Sequence, residues 1–424
     1  MNSKKLIKDS VFALIIIFLV CLFIVLVAYP IIKSIVLNPE NFNGSGYGMN
    51  SKFGNLNTIV PFNTISKSTD FKLFSLVNQI KYLPSKNPLD YVNTGTSAGI
   101  IHQTPKNYKN VILFSGLCDM ILKQNGYTVW PHNLHAMKND NLVTIHNNNN
   151  GHFNTIVTLL KTLKYTNNNI NTILYDFRNI NIDEIVQKLK AQLKKKSVII
   201  AYDFGCVIAN ICISKLNSEE KALVDKYLLI CPTIGGTAMT IRDYFSGSGE
   251  ISPEFLTTNT SVLLSMPNQK FYSRPVMMYE GLGYNAKDLN VIMEKLGKPA
   301  TLYKDLMKLQ EASFQNPDVN CIIVANNEYN TPIAYDYGNS LQNGPKVYNM
   351  PNSTRSPNGD IHSNNTVEGI QENGDKVVPF NNIKELYKMW NTNNKCSLEI
   401  IQGKDHFTIL KSYELALIII ATLK

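Results

Sequence analysis

"SVIIAYDFGCVIANICISKL", residues 197–216, is the stretch that decides the fold. Ser197–Tyr202 reads as a short strand without a polar face, the pattern of a strand buried on both sides. "CVIANICISKL" then has the length and composition of a helix. Between them the chain must turn within a residue or two. Ala201 and Gly205 are the small residues of the pattern small-x-Ser-x-Gly, a sharp strand-to-helix elbow that lifts its central side chain above a sheet. The central residue here is Asp203.

Strands and helices alternate outward from this elbow. "NVILFSGL" (110–117) is a strand ending in a Gly turn, and "FNTIVTLLKTLKY" (153–165) has helical spacing. "NTILYDFR" (171–178) is a second strand, followed by an amphipathic helix over 182–196. "VDKYLLICP" (224–232) follows the elbow helix. The alternation predicts an α/β fold, a doubly wound, mostly parallel sheet with helices on both faces. It lapses over 236–318, read as an inserted cap, with a helical "KDLNVIMEKLG". It resumes at "NCIIVAN" (320–326) and "SLEIIQG" (397–403), and "SYELALIIIATLK" closes the chain as a core helix too short to span a membrane. The Asn/Gly/Pro-rich stretch 339–370 reads as a long loop.

The chain has 424 residues, enough for a sizeable core, and a net charge of +9 without dense basic blocks, which argues against nucleic-acid binding. Residues 11–32 carry no charged side chain, and Lys4, Lys5 and Lys8 precede them. This length suits one transmembrane helix with a cytosolic tail (1–10), and the positive-inside tendency puts the remainder in a lumen or outside. Residues 33–105 then form a membrane-proximal stalk and 106–424 the hydrolase-like domain. Seven cysteines without a C-x-x-C pair argue against a zinc site, and no cofactor is expected. Sequons at Asn43, Asn259, Asn352 and Asn364 belong on surface loops if they are glycosylated.

In α/β-hydrolases the order along the chain is nucleophile, acid, histidine. Two later turns supply the rest. "NGDKVVP" (373–379) places Asp375 on a Gly turn, and "QGKDHFTIL" (402–410) places His406 just past the last strand, with "FTIL" opening the final helix. The Gly turn of "FSGLCD" would offer the backbone N–H of Leu117 to an oxyanion, and Phe204, after the elbow, the second donor. Cys206 lies one helical turn past the apex and reads as a buried helix residue, and Cys118 as a weak candidate for the cleft. Ser115 and Ser246 read as turn residues. Arg178 would pair with an acid such as Asp176, and Trp130 belongs either to packing or to a lid.

Six segments in register resemble the lecithin:cholesterol acyltransferase and lysosomal phospholipase family over about residues 108–412. "VILFSGLCD" is similar to that family's "VILVPGLGGS", and "LYDFR" (174–178) to its "YDWR". "YLLICPTIGGTAMTIRDYFSG" (227–247) resembles its strand-Pro-Gly-Gly stretch, and "CIIVANNEYNTPIAYDY" (321–337) its segment ending in "TPxxYxY". "NGDKVVP" resembles "DGDGTVP", and "DHFTIL" resembles "EHxxIL". The resemblance implies Asp375 as acid, His406 as base, and a phospholipid or sterol-type lipid at a membrane as ligand. The chain departs from the family where "HSLG" becomes "YDFG", so that Asp203 stands for the nucleophilic Ser. Val377 replaces the Thr after the acid turn, and Lys376 follows the acid directly.

Three readings of Asp203 stay open. A carboxylate attacking an ester would give a mixed anhydride, so Ser-type acyl transfer should be severely reduced, leaving a fold with its lipid cleft and a histidine held protonated between two carboxylates. Asp203 could instead attack an sp3 carbon, with His406 activating water against the resulting ester. Or acyl groups are moved by an altered route.

Overall fold

The computed structural model describes residues 108–124, 127–130, 143–147, 151–247, 256–341, 346–347, 353–355, 361–363 and 371–424. The expected anchor at 11–32 and the stalk at 33–105 lie outside the described residues. Among the described residues no helix is long and apolar enough to cross a membrane.

Six strands build the central sheet: β1 (Val111–Phe114), β2 (Ile170–Thr172), β3 (Ser197–Tyr202), β4 (Val224–Ile230), β5 (Cys321–Ala325) and β6 (Cys396–Ile400). Their order is β6-β5-β4-β3-β1-β2, and every pairing is parallel. β2 is shorter than the expected 171–178. Past Thr172 the chain leaves the ladder, and Arg178 closes a two-toothed ion pair on Asp176, with Nε to Oδ1 at 3.0 Å and Nη2 to Oδ2 at 2.6 Å.

Side chains of successive strand residues point to opposite faces, and the two faces are covered by different helices. Ile112, Phe114, Ile199 and Ala201 share one apolar cluster with α2 (Ile182–Gln192), α3 (Phe204–Ser214) and α8 (Phe380–Trp390). Val111, Leu113, Val198 and Ile200 share the other with α1 (Asn154–Thr162) and α9 (Tyr413–Leu423). α9, the second long apolar run of the sequence, is thus a core helix. It does not grow directly out of "FTIL": Thr408–Lys411 is a separate 3-10 turn, and Ser412 caps α9 by accepting the Leu415 N–H at 3.1 Å.

The inserted region between β4 and β5 contains α4 (Met239–Ser246), α5 (Thr260–Leu264), α6 (Leu289–Lys295) and α7 (Ala300–Ala312) around its own apolar cluster. This cap extends further along the chain than 236–318. Tyr335 and Tyr337 join its core, and Tyr335–Asp336 pairs with Met277–Tyr279 and with Lys346–Val347 in a small mixed sheet. The supposed loop 339–370 therefore contributes short strands where it is described, including the antiparallel pair Ser353–Arg355 and Ile361–Ser363. Asn259 is not on a surface loop. It is 3 % exposed, and its side-chain oxygen caps α5 by accepting from Ser261 N (3.1 Å) and Oγ (2.7 Å), which leaves no room for a glycan. Trp130 lies on the outer strand of a three-stranded antiparallel sheet formed by Met120–Gln124, Tyr127–Trp130 and Val143–Asn147.

Candidate active site

One residue separates β3 from α3, and it is Asp203. Its φ of 53° and ψ of −128° lie in a sparsely populated region that costs a non-glycine residue about 1–3 kcal/mol. The surroundings hold it there. Its N–H donates to the Ile230 carbonyl of β4 at 3.1 Å, and α3 packs so closely on the end of β1 that a Cβ at Gly205 would stand 2.4 Å from the Phe114 oxygen. The Gly turn after β1 adjoins the elbow equally closely, since a Cβ at Gly116 would meet Asp203 Oδ2 at 2.7 Å. The carboxylate thus rests against the turn on which Leu117 was expected as an oxyanion donor. Leu117 opens a 3-10 turn, Leu117–Asp119, and Phe204 opens α3.

The acid turn hangs from a short antiparallel ladder, Tyr329–Pro332 with Gln371–Gly374, which reaches back from the end of β5. Lys376 adopts φ 82°, its N–H donates to Thr331 Oγ1 at 2.9 Å, and the turn closes on the Asp375 carboxylate. Oδ1 of Asp375 accepts the N–H groups of Val377 (2.9 Å) and Val378 (2.7 Å). Oδ2 faces His406 Nδ1 at 2.8 Å. The His406 backbone is pinned at both ends. Its N–H donates to the Asp375 carbonyl at 2.9 Å, and its carbonyl accepts the Tyr202 hydroxyl at 3.1 Å. Beside it, Lys376 Nζ bonds Asp405 Oδ2 at 3.0 Å and lies over the Tyr329 ring.

Asp203, Asp375 and His406, distant from one another along the chain, therefore meet at the carboxyl ends of the strands, the edge at which open α/β sheets bind ligands. His406 Nε2 lies 3.4 Å from Asp203 Oδ1, longer than an ordinary charge-assisted hydrogen bond but within ion-pair reach. His406 and Asp375 side chains are each 2 % exposed, whereas Asp203 retains 21 %, so only the elbow carboxylate meets solvent. Burial disfavours a charged imidazole, but the Asp375 charge, then hydrogen bonding from Asp203 and Asp375, outweighs it. The His406 pKa is pushed up to about 10. That direction favours the imidazolium, with Asp375 on the Nδ1 side of the ring and Asp203 on the Nε2 side.

Sequence reasoning missed several members of this neighbourhood. Asp119, two residues past Leu117, is buried, and its Oδ1 accepts the Phe153 N–H at 2.8 Å. Burial, above all, pushes its carboxyl up to about 7, and the nearby Asp203 charge adds to this. Tyr202, at the position before the apex, ties the elbow strand to the histidine loop. Cys231, at the end of β4, offers a thiol within 4.8 Å of donor atoms of Asp375 and His406. These three could ligate a soft metal only by giving up bonds they already make, because both Asp375 oxygens are occupied by Val377, Val378 and His406. Burial and the Asp375 charge push the Cys231 thiol up, toward its protonated form. Cys206 is the buried helix residue expected, with its thiol pushed up by desolvation and aimed at the Ile230 carbonyl at 3.7 Å.

No family model matches this chain, and no curated protein matches it. Among solved structures the chain is similar to an esterase of Pyrococcus furiosus at 11% identity and a TM-score of 0.33, over 75% of this chain and 82% of the esterase. It is similar to a monoacylglycerol lipase of Paleococcus ferrophilus at 8% identity and a TM-score of 0.34, over 74% of this chain and 96% of the lipase. A phospholipase, PlaB, of Legionella pneumophila aligns at 10% identity and a TM-score of 0.29, over 52% of this chain and 39% of the phospholipase. At such identities the likeness is one of fold alone, and the chemistry is a matter for the geometry around Asp203 and His406.

Proposed function

We propose that this chain is a membrane-anchored, lipid-binding member of the acyltransferase and phospholipase group of α/β-hydrolases in which Ser-type acyl transfer has been lost. The observation that supports it is the pairing of Asp203 with His406 at the elbow. A Ser there would pass its proton to a neutral imidazole. Asp203 has no proton to pass, and it helps hold the imidazole in the form that cannot accept one. The lipid class comes from the six-segment resemblance, and the anchor from the uncharged run 11–32. The resemblance would make the backbone N–H groups of Leu117 and Phe204 the oxyanion donors, and Asp203 lies against the Gly116 turn that leads into Leu117.

The test is acyl release and acyl transfer by the full chain on phosphatidylcholine vesicles with and without a sterol, beside Asp203→Ser. The expected result is an inert wild type that binds the vesicles, and a variant that gains turnover. Turnover by wild type that His406→Ala abolishes would overturn the reading. One observation favours a second possibility: the exposed part of Asp203 is at the elbow apex, with His406 behind it, as attack on an sp3 carbon would require. A covalent ester on Asp203, found by intact-mass measurement after incubation with an alkyl halide or epoxide, would establish that chemistry instead.

A further inference from the structure

Two cysteines outside the site stand directly opposite each other. Cys321 opens β5, Cys396 opens β6, and the parallel ladder pairs them residue to residue. The register is fixed locally, since the Cys321 N–H donates to the Lys395 carbonyl at 2.8 Å. Laterally paired residues of neighbouring strands lie about 4.8 Å apart, and a disulfide spans Cα separations of about 4.4–6.8 Å. Both side chains belong to the same apolar cluster beneath α8, so they leave the sheet on the same face. Both are buried free thiols. Asn320 and Lys395, the residues before them, are exposed, so the pair sits just inside the rim of the sheet. Among the described residues no other two cysteines face each other in a ladder.

We propose that Cys321 and Cys396 are a redox modification site, a dithiol that a disulfide compound oxidises to a cross-strand disulfide clasping β6 to β5. β6 is an edge strand of the sheet, and it leads into the loop that carries His406. Its far end is already held by β5: the Ile401 N–H donates to the Ala325 carbonyl (2.9 Å) and Asn326 Nδ2 to the Ile401 carbonyl (2.6 Å). Its near end has only the exposed ion pair of Lys395 Nζ with Asp318 Oδ1 at 2.8 Å beside the ladder, a weak tie that the disulfide would reinforce. In the exchange, one cysteine thiolate attacks the oxidant's disulfide and releases one thiol. The second cysteine attacks the resulting mixed disulfide and releases the other. The cysteine sulfurs are oxidised, the oxidant is reduced, and the two protein protons leave on the released thiols. Hydrogen bonding with Cys321, then burial, pushes the Cys396 thiol up, so exchange waits on local opening of the edge strand.

The experiment treats the full chain in detergent micelles with oxidised glutathione, in buffer and in urea below the unfolding transition, where edge strands open. Free thiols are then alkylated and the protein is digested for peptide mass mapping. The expected product is a peptide pair joined through Cys321 and Cys396, lighter by two hydrogens than the two thiol peptides together. In Cys396→Ser the reaction should stop at a glutathione adduct on Cys321, because no second thiol is there to resolve it. Hydrogen exchange over residues 396–406 should slow by about tenfold or more in oxidised against reduced wild type. Recovery of both cysteines as alkylated free thiols under both conditions, or as separate glutathione adducts, would show two packing residues and overturn the proposal. A joined pair with unchanged exchange over 396–406 would overturn the clasp. The wild-type map stands by itself if the Cys396→Ser variant misfolds, and none of these readouts depends on whether the site binds or turns over a lipid.

Discussion

The two ends of the central sheet bury polar groups in opposite ways. At the end where the strands begin, the fully buried groups around Asn110 and Ser197 are neutral and hydrogen-bonded, and the charged pair, Lys109 Nζ to Asp225 Oδ2 at 2.6 Å, is only partly buried. Asn110 Nδ2 donates to the Gln192 carbonyl (2.8 Å) and Ser197 Oγ (2.9 Å), its Oδ1 accepts from Asn171 Nδ2 (2.8 Å), and Ser197 Oγ donates to the Lys194 carbonyl (2.7 Å). At the end where the strands finish, the groups are charged: Asp203 and Asp375 flank His406, and the buried Asp119 lies beyond the Gly turn after β1, its Oδ2 and the Ser115 Oγ without hydrogen-bond partners among the described residues. The first end is what a fold requires of buried polar groups. The second carries more charge than the fold requires, and such perturbed groups are concentrated where proteins bind and react.

Replacing one member at each end separates these roles. His406→Ala leaves the buried Asp375 carboxylate without its partner and should cost about 3–5 kcal/mol in urea denaturation at pH 7. Asn110→Ala leaves neutral partners unsatisfied and should cost about 1–3 kcal/mol, equally at all pH values. Equal costs with equal pH dependence would remove the distinction.

A pH series sharpens it. Asp119 has its folded-state pKa raised from 3.8 to about 7, so the folded state holds its proton longer and stability falls as pH rises through that window. About three units at about 1.4 kcal/mol each set an upper limit of about 4 kcal/mol. His406 is raised from 6.5 to about 10, so its stabilisation is complete below 6.5 and is lost as pH rises toward 10. In Asp119→Asn the loss between pH 4 and 7 should shrink while the loss above 7 persists, as measured by thermal unfolding. Smaller effects lie between the two ends. Gly205→Ala forces a Cβ against the Phe114 carbonyl and should cost about 1–3 kcal/mol. Cys206→Ala removes only a buried sulfur, costs about 1 kcal/mol, and leaves the His406 titration unmoved.

Much of this was legible in the sequence because the signals are local. The strands at 111–114 and 197–202 are short apolar runs, the elbow is marked by Ala201 and Gly205, and Asp375 and His406 stand on Gly turns beside strands. The rest depends on distant partners. Asp119 is a single acid beyond a Gly turn, and only burial against Phe153 gives it meaning. The three-stranded sheet of Met120–Gln124, Tyr127–Trp130 and Val143–Asn147 was missed because "MILKQ" has no period and the alternation of "VTIH" runs for only four residues. Asn259 reads as an exposed sequon until α5 is seen folded against the carbonyls of Phe177 and Arg178, which accept the N–H groups of Ser261 (3.1 Å) and Thr260 (3.0 Å). The bond from Tyr202 to the His406 carbonyl joins residues 204 apart, and no window of sequence contains both.

The central claim is that His406 is held as an imidazolium, and its ring titration followed by NMR in the full-length wild type tests it most directly. The account predicts a ring that stays protonated through neutrality and titrates near 10. A midpoint at or below the ordinary value near 6.5 would show a neutral histidine free to act as a base, and would contradict it.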